Sequence, residues 1–150
     1  MSLMKLIHLL AIVVWVGGMF FAYVVLRTSA AEILQPPERL RLWDKVFSKF
    51  FNWVWLAVFL ILVSGFYMIY LFGGFSSLPL YINLMLLLGI VMMMIYVYVF
   101  FKCYAPFNRF VANQEWPTAG AMLGTIRKLV GLNLTIGLLT IAVAIIGRNV

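Results

Sequence analysis

Apolar residues fall into four long blocks separated by short polar stretches, at 6–26, 50–72, 80–101 and 129–147. About 20 helical residues cover a hydrocarbon core of roughly 30 Å, so each block is long enough to cross a bilayer. None alternates apolar with polar positions as a barrel strand does. The pattern predicts an all-α, integral membrane four-helix bundle, a single domain over residues 1–150 with spans at those four blocks.

Two of the helices are expected to outrun the membrane. Pro36 and Pro37 suit a helix start, and Glu38 follows in the first turn, where an acid complements the helix dipole. No strong breaker then appears before Gly73-Gly74. A helix over 37–72 is about 54 Å long at 1.5 Å per residue. Its extension carries Leu40, Trp43, Phe47 and Phe50 at helical spacing. Pro117 likewise opens an amphipathic stretch ahead of the fourth span. The "GGFSSLPL" link reads as a short turn, and the third helix is expected to loosen near Pro106. Trp43, Trp53, Trp55 and Trp116 at one boundary and Tyr67, Tyr70 and Tyr81 at the other read as an aromatic belt.

Composition agrees with the pattern. The chain is 66% hydrophobic and 10% charged, outside the range of soluble domains. Its first block is too long for the apolar core of a cleaved signal peptide, and Lys5 alone is a thin basic flank, so it reads as a retained helix. Net charge +7 raises the question of nucleic acid, and the charge distribution answers it. Arg27, Arg39, Arg41, Lys45, Lys49, Lys102, Arg109, Arg127 and Lys128 fall on one side of the membrane, with Lys5 and Arg148 on the other. Nine against two predicts cytoplasmic longer loops, extensions of helices two and four into the cytoplasm, and both termini extracytoplasmic. The basic side then faces lipid headgroups, and no nucleic-acid partner is expected. The one cysteine, Cys103, excludes an internal disulfide and reads as apolar filling.

Candidate chemistry is sparse. His8, the only histidine, opens the first span. At about 100° per residue Trp15 and Met19 lie within roughly 20° of it around the helix, so His8 and Trp15 should share an inward face. An ionisable side chain inside a membrane is a functional-site hypothesis, and imidazole is a common ligand for haem iron and copper. Met19 lies roughly 16 Å from His8 along the axis and is no partner for it. Met92, Met93 and Met94 diverge around their helix and read as packing. Asn83 is the other polar group at the depth of His8. Asn133, Gly137, Thr140 and Ala144 form a small, weakly polar stripe on helix four, suited to close helix packing. Ser64-Gly65 adds another point of close contact. No Asp, Glu, Lys or Arg sits deep in a span, so no ion-coupled pathway of the usual kind is visible. No nucleophile–base set, phosphate loop or zinc spacing occurs either.

"HLLAIVVWVGGMFFAYVVLR" resembles the first helix of CopD-type small membrane proteins, a group distantly similar to the HemJ protoporphyrinogen oxidases. The likeness extends through "PPERLRLWDKVFSKFFNWVW", "SGFYMI", "YINLMLLLGIVMMMIYVYVFF" and "IRKLVGLNLTIGLLTIAVA". It implies a four-helix bundle in the bacterial inner membrane, with copper handling and, through HemJ, haem. His8 matches the first-helix histidine of the pattern. Asn83 stands where the family's helix three often has a second histidine, so the resemblance places Asn83, with Trp15, beside a His8 cofactor site. With one histidine, bis-histidine haem b within a protomer is excluded, and HemJ-type oxidase activity is not expected. Two readings follow: a redox or metal-handling protein binding haem b or copper through His8, or a non-catalytic accessory subunit of a larger membrane complex. A transporter acting as a homo-oligomer is a third.

Overall fold

The computed structural model describes residues 1–149; Val150 lies outside the described residues. Four helices make up the chain: α1 (Ser2–Ile33), α2 (Pro36–Leu71), α3 (Leu80–Ala112) and α4 (Trp116–Gly147). A single 3-10 turn, Phe75–Ser77, precedes α3, and no strand occurs among the described residues. All four helices are long and apolar enough to cross a membrane, and in α3 and α4 only 17% of the apolar window is buried inside the protein. So much exposed apolar surface is unfavourable in water and favourable against lipid chains. The chain is a multi-pass membrane protein.

α2 begins and ends where its punctuation places it. Pro36 opens it, and it closes with Gly73 at φ +97°, a left-handed conformation that glycine adopts without strain. The Gly74 N–H then bonds back to the Ile69 carbonyl at 3.1 Å. α3 ends the same way, with Gln114 at φ +57° and the Glu115 N–H on the Phe110 carbonyl at 2.9 Å. These are Schellman-type stops, which satisfy carbonyls the last turn leaves free. The second uses a glutamine, and no glycine marks it in the sequence.

Three features add detail to the block pattern or depart from it. α1 continues past its apolar block to Ile33, because nothing before Pro36 breaks it and Ala30 is buried against the bundle. α3 loosens near Pro106 as expected, in a π-helical stretch over Val99–Tyr104 just upstream, and continues as a helix through the proline. There the Ala105 N–H reaches back five residues to the Phe100 carbonyl, and the wider turn accommodates the proline that follows. Nor do all the tryptophans anchor at the boundary. Trp43 is buried and Trp55 packs 5.1 Å from the Tyr96 ring, while Trp53 alone of the three is largely exposed.

α1 packs chiefly on α2, and α3 chiefly on α4, with α4 also touching α1 and α2. The centre is aromatic: Trp15, Phe51, Trp55, Tyr96 and Phe100 meet mostly edge to face, the arrangement ring quadrupoles favour. The Tyr96 hydroxyl donates to the Phe51 carbonyl at 3.0 Å. Toward the loop-rich end the cluster continues through Phe47, Tyr104 and Phe107, and the Asn108 amide donates to Asp44 at 2.8 Å.

Candidate functional site

His8 sits two turns into α1, half-buried against α2. Its Nδ1 lies 2.8 Å from the Ser64 hydroxyl. Ser64 is itself buried, and its single proton points to the Leu60 carbonyl at 2.5 Å, one turn back on α2. A serine in mid-helix commonly donates this way. With that proton committed, the Ser64 oxygen accepts from His8, so Nδ1 carries the imidazole proton. The lone pair then resides on Nε2. This tautomer is the one in which a second-sphere partner orients a histidine for metal binding.

Close approach of the two helices makes the contact possible. A Cβ placed on Gly65 would stand 3.5 Å from His8 Cε1, in ordinary van der Waals contact, so Gly65 leaves room beside the ring. Two thioethers lie nearby in sequence register. Met4 is one turn before His8 on α1, Met68 is one turn beyond Ser64 on the antiparallel α2, and both are partly buried.

The other sequence candidates are not brought to this layer. Trp15 is buried 6.1 Å from the Tyr96 ring, in the central aromatic cluster. Asn83 is exposed, and its amide donates back to the Leu78 carbonyl at 3.3 Å, tying the start of α3 to its own loop. Among the described residues there is no group of three or more His, Cys, Asp or Glu suited to a metal ion.

The α4 stripe divides. Gly137 is buried where α1 and α3 converge, and a Cβ there would stand 3.0 Å from Val16 Cγ2 and 3.1 Å from Met92 Cε. Asn133 is buried one turn earlier and donates to the Met92 carbonyl at 3.3 Å, while its Oδ1 has no partner. It lines a cavity of about 20 Å³, room for one water. Thr140 is half-buried, and its hydroxyl bonds the Ile136 carbonyl of its own helix at 2.8 Å. Ala144 is half-buried as well.

Sequence reasoning missed the Ser64 partnership and one whole site. Ser64 reads from sequence only as a small residue; what couples it to His8 is the rotation of two helices, which periodicity does not fix. The missed site is a cavity of about 360 Å³ at the opposite end of the bundle, lined by Arg27, Arg39 and Arg127 from three helices. From sequence these arginines belong to a solvated basic face, and nothing in their spacing brings them together.

The family described as Copper resistance protein D, CopD, matches residues 44–146, more than half of the chain. The match takes in Ser64, Asn83 and the α4 stripe but begins after α1, so it does not include His8 or Trp15. No curated protein and no solved structure matches the chain. A four-helix membrane bundle matched from α2 through α4 by this one family is a member of it: the chain belongs to the CopD family.

Proposed function

We propose that the protein handles copper within the membrane and that His8 is its imidazole ligand, binding through Nε2. The observation that carries this reading is the 2.8 Å contact between His8 Nδ1 and Ser64, whose hydroxyl donates to the Leu60 carbonyl and so leaves the lone pair on Nε2. Thioethers suit Cu(I), and Met4 and Met68 are the sulfur donors in register with His8 and Ser64. Imidazole with thioether donors fits a soft monovalent ion, whereas harder divalent ions prefer carboxylate oxygens. Copper bound there supplies a one-electron couple, and the protein's share is to orient the ring and exclude competing ligands.

Haem b fits less well. The cavity of about 360 Å³ starts at Ala22, about 21 Å along α1 from His8, too far for a macrocycle held by that ring. Around His8 itself α2 approaches closely enough for Gly65 to be in contact range.

The test is a Cu(I) titration of the detergent-solubilised protein against a chromophoric chelator. One ion per chain is expected, with affinity at least tenfold weaker in His8→Ala. Ser64→Ala should weaken it about tenfold, the lower end of what losing an orienting partner costs a metal site. Cys103→Ser, far from the site, should leave it unchanged. Equal binding by wild type and His8→Ala would overturn the assignment. A metal-free wild type that co-purifies with other membrane subunits would favour the accessory role instead.

The same reading puts the bundle in a bacterial inner membrane, with both termini extracytoplasmic. Alkaline phosphatase, active only outside the cytoplasm, is expected to be active when fused after Val150 and inactive when fused after Asn113. The reverse pattern would invert the topology and place His8 on the cytoplasmic side.

A further inference from the structure

The basic cavity at the far end has no part in the copper reading. It lies between the C-terminal part of α1, the start of α2 and the start of α4, about 28 Å along α1 from His8 to Arg27. Arg27, Arg39 and Arg127 surround it, one from each helix, and none of its described lining residues is acidic. Deeper walls are apolar, with Trp43, Phe47 and Val130 among them. Three arginines around one cavity whose described lining has no carboxylate make it favourable to an anion.

One of the three is held in place. In the π-helical stretch Phe21–Leu26 the Arg27 N–H bonds the Ala22 carbonyl, five residues back. The Arg27 side-chain Nε donates to the Tyr23 carbonyl at 3.0 Å, and its guanidinium lies 4.5 Å over the Tyr23 ring. Tyr23 in turn packs against Gly131 of α4, where any Cβ would collide with its ring. These side-chain contacts fix one arginine beside the cavity before any ligand arrives, which lowers the ordering cost of binding. Two further arginines with planar, multi-donor heads complete a set suited to phosphate oxygens.

Depth decides what carries the phosphate. Arg27 follows the first apolar block directly, and Arg127 precedes the fourth by two residues, so both lie where hydrocarbon gives way to headgroups. We propose that this cavity binds the phosphate of an anionic phospholipid, with the arginines on the headgroup and the apolar wall against the start of an acyl chain. Basic pockets between membrane helices hold acidic lipids by the same physics.

Native mass spectrometry and a fluorescent-lipid displacement assay would test this on the full chain in mixed micelles. Phosphatidylglycerol should bind at least tenfold more tightly than phosphatidylcholine, with about one lipid retained per chain. Arg27→Gln and Arg127→Gln should each reduce that preference several-fold, while Arg39→Lys largely keeps it. Arg109→Gln, which alters an arginine outside the cavity, should have no effect. Circular dichroism melting of each variant separates lost binding from lost fold. Equal retention of the two lipids, or an unchanged preference in correctly folded Arg27→Gln and Arg127→Gln, would overturn the proposal. Displacement of the lipid by millimolar inorganic phosphate would also overturn it, in favour of a soluble anion.

Discussion

Tyr96→Ala is expected to lower the stability of the bundle by about 3 kcal/mol, the lower end of the range for deleting a buried ring. Tyr96 sits where three helices meet, with ring centroids 6.1 Å from Trp15 on α1 and 5.6 and 5.1 Å from Phe51 and Trp55 on α2. In a bilayer the ring gains little by leaving lipid, since acyl chains are as apolar as the core. What the substitution removes is dispersion contact and edge-to-face geometry, and what it leaves is a void that neighbouring rings cannot fill. Tyr96→Phe separates packing from hydrogen bonding: it keeps the ring and loses only the 3.0 Å bond to the Phe51 carbonyl, at a cost of about 1 kcal/mol or less. Equilibrium unfolding in mixed micelles of rising SDS content, followed by tryptophan fluorescence, would measure both. Equal losses in the two variants would assign the stability to the hydroxyl and contradict a packing-dominated core.

The pattern of apolar blocks carries most of the fold because lipid leaves the chain few alternatives. Backbone groups in hydrocarbon must be paired within the segment, so a long apolar block is a helix. Its ends are less legible. Pro36 and Gly73 announce themselves by residue type, whereas Gln114 adopts a left-handed conformation with no glycine to signal it. Pro106 reads as a point of loosening, and the loosening is a π turn just upstream, whose form and exact place no residue type marks.

The candidate site is legible to the extent that one helix determines it. His8, Trp15 and Met19 do share an inward-leaning face of α1, with Trp15 and Met19 buried and His8 half-buried. Which partners they meet depends on how neighbouring helices are rotated and offset, and apolar periodicity is nearly blind to rotation when every face is apolar. Ser64 therefore reads only as a small residue until it meets His8, and Asn83, at a similar depth, turns to its own loop. Arg27, Arg39 and Arg127 are separated by 12 and 88 residues along the chain. Only tertiary packing brings them around one cavity.

The α4 stripe gives the sharpest contrast between a face read from spacing and a contact fixed by packing, and Gly137→Leu is expected to cost about 3 kcal/mol, the upper end of what overpacking a tight core usually costs. Even a single Cβ at Gly137 would stand 3.0 Å from Val16 and 3.1 Å from Met92. Met92 can swing its terminal methyl aside, but Val16 is β-branched and confined to one rotamer in a helix. Gly137→Ala should therefore lose about 1 kcal/mol or less, with Met92 yielding. Leucine has no such outlet, so α4 must separate from α1 and α3. That movement also strains the Asn133 bond to the Met92 carbonyl one turn away, where no water from bulk can replace it. Thr140→Ala on the same stripe is expected to be close to neutral, because its hydroxyl already bonds within α4 and reaches no other helix. The same SDS titration reads all three. Should Thr140→Ala prove as damaging as Gly137→Leu, the interface would be set by polar groups along the stripe and not by the absence of a side chain at its centre.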